Sequence, residues 1–180
     1  SKFDISKVQK KGAVFDQKKL DWISSQHLVM QENQDILDRL RLINSEWGND
    51  RDDSFCLSIL GILKTRCSSL VDLIDHSDYF FNAPVEFDEN DIKKAWKDDT
   101  AEMLAEVLKM LESTTDWNAD ELESNFKNYM EKNDYGFGEV MKPVRLGLCG
   151  NLQGPSLFSI MGILGKKICI ERINAIINRF

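Results

Sequence analysis

The sequence predicts an all-α protein, and three observations carry that prediction. Apolar residues recur at three- and four-residue spacing along much of the chain, whereas no stretch keeps the strict alternation of a half-buried strand. Leu, Ile, Lys, Glu, Asp and Asn dominate, and only 9% of residues are aromatic. Three prolines and ten glycines are too few for a disordered or fibrous chain. With 180 residues, 42% of them hydrophobic, the chain can bury a real core as one ordinary domain or two small ones.

Residues 1–29 show little helical rhythm. Val14, Phe15, Leu20, Trp22 and Ile23 stand among lysines, which predicts an extended or turning segment packed on a neighbour. From Glu32 to Trp47, Ile36, Leu37, Leu40 and Ile43 mark a helix that Gly48, Asn49 and Asp50 end. A stronger helix is predicted from Ser54 to Ile74, with Ile59, Ile62, Leu63, Leu70, Leu73 and Ile74 as its apolar stripe. Arg66 falls on that stripe. A buried, unpaired cation costs several kcal/mol, about 3–5 by analogy with broken buried pairs. The residue therefore snorkels outward, meets a carboxylate, or waits for a ligand.

Tyr79, Phe80, Phe81 and Pro84 break the chain between two helical groups, giving a first subdomain over 30–82 and a second over 83–180. One helix is predicted from about Glu89, its later face defined by Met103, Leu104, Val107, Leu108 and Leu111. Asn118 with Glu121 resembles a capping box opening a helix through Tyr129. Tyr135-Gly136-Phe137-Gly138 is a turn before a helix near Glu139. Gly150 closes that helix, Gly154-Pro155 opens the next with Pro in its first turn, Gly165 ends it, and a last helix runs to Arg179.

The net charge of −7 is unevenly spread. Residues 1–20 carry a local +4, residues 141–180 a local +5, and the stretch between them −16. Basic ends could meet a polyanion with two patches, or the asymmetry is compositional drift. No apolar run approaches the ~20 residues that cross a bilayer, so a soluble, cytoplasmic protein is expected. Cys56, Cys67, Cys149 and Cys169 lack CxxC spacing, and with only His27 and His76 to help them no metal site is expected. The chain holds no GxSxG, Walker A or HExxH motif, and its carboxylate pairs sit in solvated charge runs. No catalytic residue is predicted. The opening Ser1 suggests a piece of a longer protein.

Two segments carry a resemblance. KKGAVFDQKKLDW, Lys10 to Trp22, resembles the segment after the signature lysine loop of bacterial glutamyl-tRNA synthetases. MKPVRLGLCGNLQGPSLFSIMGILGK, Met141 to Lys166, is similar to that family's C-terminal stretch, with its Pro-x-Arg, its Gly-Pro before a helix and its Leu-Gly-Lys. The family is a class I aminoacyl-tRNA synthetase whose Rossmann domain carries HIGH and KMSKS signatures, neither of which occurs here. The resemblance implies that this chain is the C-terminal anticodon-binding portion, an α-helical cage in two subdomains, with glutamate tRNA as partner. The catalytic domain of the same polypeptide would hold ATP and magnesium. No cofactor is then expected in this chain, and a monomer is.

Site residues follow from the same resemblance. Arg66, in LKTRCSSL, looks like the arginine that reads the third anticodon base. A donor-only, planar guanidinium pairs with O2 and N3 of cytosine and meets the N1 proton of guanine. It would thus separate glutamate anticodons, which end in C, from glutamine anticodons ending in G. An internal ion pair is the structural alternative. Arg145 matches a second anticodon-loop arginine. Gly154, Pro155 and Leu157 match the loop and helix start that pack on the first anticodon base, Leu157 offering an apolar surface and the helix start its free amides. A plain helix start is the alternative there. Lys19 and Trp22 match Lys-Leu-x-Trp, which faces the tRNA stem and the preceding domain, although Trp22 could equally be core; Lys127 occupies an often basic position. The family continues Trp-x-Asn-Gly-x-Tyr-Ile where this chain has Trp22-Ile23-Ser24-Ser25-Gln26-His27-Leu28, which removes that Asn and Tyr. Gly154 supplies no hydroxyl, which loosens readout of the first base. Apart from the resemblance, a helical protein-interaction domain remains the alternative, with basic ends serving solubility or docking.

Overall fold

The computed structural model describes residues 15–180; Lys10 to Val14 of the first resembling segment lie outside them. The described residues form ten α-helices and one 3-10 turn, with no strand among them. In chain order the helices are α1 (Gln17–Met30), α2 (Asn33–Ile43), α3 (Asp53–Leu63), α4 (Leu70–Phe81), α5 (Glu89–Ala95), α6 (Thr100–Ser113), α7 (Ala119–Asn133), α8 (Phe137–Cys149), α9 (Leu157–Leu164) and α10 (Lys166–Ile177). The all-α expectation holds.

Caps explain most of the boundaries. Asp16 accepts from the Lys19 amide at the start of α1, and Asp52 from the Phe55 amide at the start of α3. Asn118 accepts from the Glu121 amide at 3.0 Å, opening α7 where the sequence places it. Gly150 (φ +75) and Gly165 (φ +80) stop α8 and α9, a backbone region that suits glycine.

One hydrophobic cluster runs through all ten helices, with Leu60, Phe80, Leu104 and Phe126 among its fully buried members. Packing α3 on α9 and α4 on α8 joins the earlier helices to the later ones. Two indoles pin loops onto this core: Trp47 donates to Ser77 Oγ, and Trp117 to the carbonyl of Met161, each at 2.8 Å. Burying such N–H groups is tolerable only when each has an acceptor.

Five expectations need correction. The helix expected from Glu32 to Trp47 ends at Ile43, with Asn44 as its C-cap, well before Gly48. Within the stretch read as extended, residues 17–29 lie in α1, a helix that buries only Leu28, so it carries no amphipathic rhythm to detect. The helix expected over Ser54–Ile74 is two helices. A 3-10 turn (Lys64–Arg66) follows α3, and Ser69 then caps α4 in a reciprocal box with Asp72. The helix expected from Glu89 through Leu111 breaks at Trp96–Asp99, where the Thr100 hydroxyl accepts from the Lys97 amide. Pro155 precedes the N-cap Ser156 and stands outside α9.

Candidate nucleic-acid interface

The broken helix decides where Arg66 goes. Because α3 ends at Leu63, Arg66 lies on no apolar stripe; it leaves the 3-10 turn between buried Leu63 and buried Cys67 with its own side chain exposed. Among the described residues it has no ion-pair partner of the kind that reading requires. The turn is held at both ends. Lys64 Nζ donates to the Gln31 carbonyl at 3.0 Å, tying it to the end of α1. On the other side the Asp72 carboxylate accepts from the Ser68 amide (2.8 Å), the Ser68 hydroxyl (2.7 Å), the Ser69 amide (3.1 Å) and the Ser69 hydroxyl (2.8 Å). Burial works against the Asp72 charge, but these donors outweigh it and hold its pKa at about 2.

Arg66 opens onto a cleft of about 470 Å³. Asp75, His76 and Tyr79 of α4 line one part, Asp91 of α5 contributes an edge, and Asn151, Gln153, Gly154 and Pro155 line another. The cleft therefore mixes donors and acceptors, as reading the edge of a nucleobase requires. This last part is an irregular loop fixed from within. Asn151 Oδ1 accepts from the Gln153 amide at 3.0 Å, closing an Asx turn. Arg145, half-buried on α8, donates through Nη2 to the Pro155 carbonyl at 2.7 Å and through Nη1 to that of Gln153 at 3.5 Å. Gly154 has φ +137, and a Cβ there would stand 3.2 Å from Arg145 Nη1. Ser156 caps α9 without a side-chain bond, so the first-turn amides of that helix remain unbonded by its cap.

The structure thus brings Arg66, Gly154 and Pro155 to one cleft and puts Arg145 behind the loop as its brace. Leu157 is corrected: it is 4% exposed and packs in the core, because the apolar face of α9 turns inward, so it offers no open surface to a base. Trp22 is 63% exposed, which removes the core reading. Lys19 is exposed on α1, and exposed Lys127 pairs with Glu123 at 2.7 Å on α7; neither lines the cleft.

The basic C-terminal end also reads differently in three dimensions. Arg172 is buried and donates to the carbonyls of Tyr79 (2.6 Å), Leu148 (2.7 Å) and Asn82 (3.1 Å). Burial pulls its pKa down. Lys166 donates to the carbonyls of Glu112 and Thr114, and Arg179 to that of Val85 while lying over the Phe87 ring. With Arg145, four cations of this end satisfy main-chain carbonyls and join elements, so the local +5 is not one exposed patch. Burial pushes the thiols of Cys67 to about 11 and of Cys149 and Cys169 to about 12, keeping them protonated near neutral pH. Among the described residues no cluster of His, Cys, Asp and Glu could hold a metal ion, and no helix is long and apolar enough to cross a membrane.

Sequence reasoning missed Leu63, Asp75, His76, Tyr79, Asp91, Asn151 and Gln153, which also line the cleft. Tyr79 had served only to mark a break. The Asn-x-Gln spacing after Gly150 was the available signal for the turn.

Comparison with known proteins places this arrangement. The glutamate–tRNA ligase of Porphyromonas gingivalis is 35% identical over 171 residues, covering 95% of this chain and 34% of the relative. That of Flavobacterium johnsoniae is 35% identical over 176 residues, covering 98% and 35%. The chain thus spans about a third of the length of these relatives. The crystal structure of a glutamate tRNA ligase from Elizabethkingia meningosepticum in complex with its amino acid matches with a TM-score of 0.86 at 35% identity, over 98% of this chain and 35% of that one. The glutamate-tRNA synthetase of Elizabethkingia anophelis matches with a TM-score of 0.82 at 34% identity, over 98% and 34%. The family model for the anticodon binding domain matches residues 25–177, nearly the whole described chain, and the chain belongs to that family.

Proposed function

We propose that this chain is the anticodon-binding module of a glutamate–tRNA ligase, acting in the cytoplasm as part of a monomer. Its partner is glutamate tRNA. ATP-dependent aminoacylation, with magnesium, is assigned to a catalytic domain on the same polypeptide. The observation that carries the reading is the cleft that Arg66, without an ion-pair partner among the described residues, shares with the Asn151–Pro155 loop. A splayed anticodon loop fits such a cleft, because its unstacked bases expose their Watson–Crick edges.

In this reading Arg66 donates to O2 and N3 of the third anticodon base when that base is cytosine. Guanine would set its N1 proton against a group with no acceptor, and that mismatch disfavours it. The 3-10 turn and the Ser69–Asp72 box hold the guanidinium's root in place before RNA arrives, which lowers the ordering cost of binding. Arg145 acts through the loop it braces, which presents Gly154 and Pro155 to the first anticodon base. Exposed Lys19, Trp22 and Lys127 are assigned to the tRNA stem and backbone. The remaining exposed apolar groups of α1 and α2, including Met30 (77% exposed) and Leu42 (85%), suit docking against the rest of the ligase.

Titration of this chain with glutamate tRNA across a salt series tests the reading. Affinity should fall steeply as salt rises, because phosphate contacts release counterions. A helical protein-interaction domain without RNA binding would show no complex even at low salt.

A further inference from the structure

Tyr79 stands apart from the other cleft residues. It is 8% exposed, and among the described residues its hydroxyl has no hydrogen-bond partner. A buried hydroxyl without a partner is costly, and nearly all native ones are paired. The same hydroxyl lies at the cleft, 3.9 Å from where a Cβ on Gly154 would stand, and within the fields of Arg145 and Arg66. The residue is locked from below. Its carbonyl accepts from buried Arg172 at 2.6 Å, and its ring packs on Phe80 with centroids 4.5 Å apart. The phenol is therefore fixed in place, with Gly154 beside its tip.

We propose that the Tyr79 hydroxyl is a base-reading group that gains its missing hydrogen bond from the edge of an unstacked anticodon base. This inference rests on the function proposed above and adds a specificity residue to it. The bare Cα of Gly154 permits the approach, and the longest tie of its loop, Arg145 Nη1 to Gln153 at 3.5 Å, is the one most easily given up as the base enters. A tyrosine hydroxyl both donates and accepts. It can thus pair with a carbonyl oxygen or a ring nitrogen of the base that sits between Arg66 and Gly154. Arg172, which touches no solvent-facing part of the cleft, acts as a positioning residue for it.

The test is Tyr79→Phe, which keeps the ring and the packing and removes only the hydroxyl. The probes are the anticodon stem-loop of glutamate tRNA and three versions of it, each abasic at one anticodon position. Free Tyr79→Phe should melt at the same temperature as the unaltered chain or higher, because an unpaired buried group is gone. It should bind the intact stem-loop about five- to tenfold more weakly, and that loss should vanish with one of the three abasic probes. An unchanged affinity for the intact stem-loop, with Arg66→Ala still weakened, would overturn the assignment to Tyr79 and leave the module's function standing. A loss of equal size with all four probes would also overturn it, since a structural role has no base dependence. Absence of binding by the unaltered chain at low salt would overturn the function and this inference together.

Discussion

Arg145 on α8 donates to the carbonyl of Pro155, ten residues later, at 2.7 Å, and so makes the irregular loop before α9 part of the helical scaffold. The bond is charge-assisted and half-buried, the kind that outlasts competition from water. Arg145→Ala should release the Asn151–Ser156 loop and weaken anticodon stem-loop binding about tenfold, with only a small loss of stability. Faster amide hydrogen exchange at Gln153 and Gly154 in the variant would verify the mechanism.

Gly154 meets two constraints at once. Its φ of +137 is one that side-chain-bearing residues rarely adopt, and a Cβ would press on Arg145 Nη1 at 3.2 Å. Gly154→Ala should cost about 1–3 kcal/mol in urea unfolding. It should also weaken stem-loop binding, because the loop must move to relieve the strain. Retention of native stability would show that the loop rearranges freely.

Asp72 connects stability to pH. Its four donors hold its folded-state pKa at about 2, below the ordinary aspartate value of 3.8. The unfolded chain therefore takes up the proton first on acidification. The resulting stabilisation is fully present above about pH 4 and is lost as pH falls towards 2. It amounts to about 1–2 kcal/mol. Asp72→Asn should lose that amount at pH 7 and show a flatter stability profile between pH 4 and 2. Unfolding curves across this range measure it directly.

The fold class, the Asn118 cap and the Gly150 and Gly165 stops were legible in the sequence because they are local. Ile36, Leu37 and Leu40 of α2 are buried as their spacing predicts, and Gly150 and Gly165 stop helices where they stand. What was hidden depends on packing. Leu63 and Leu70 keep helical spacing across a break, so periodicity alone ran one helix through the turn that presents Arg66. The Ser69-x-x-Asp72 pattern was the local signal against that reading. Charge counting failed at Arg172 for a related reason: a cation that caps three carbonyls in the core looks, in one dimension, like part of a basic patch. The partner that an arginine faces is a property of the fold.

Arg172 is the largest structural commitment among the cations. Its donors join the end of α4 and the end of α8 through Tyr79, Asn82 and Leu148. Arg172→Ala would leave these carbonyls buried without donors and should destabilise the chain by about 3 kcal/mol or more. Arg172→Lys should recover part of that loss, since an ammonium cannot span the same fork of acceptors. Both values are accessible by equilibrium unfolding.

Discrimination at the third anticodon base tests the central claim most directly. The measurement is the affinity of this chain, at low salt, for the glutamate tRNA anticodon stem-loop and for the same stem-loop with C changed to G at that base. The account predicts about tenfold or more preference for C, abolished in Arg66→Ala while the variant's thermal unfolding is unchanged. Equal affinity for the two stem-loops, or a preference that survives Arg66→Ala, would contradict it.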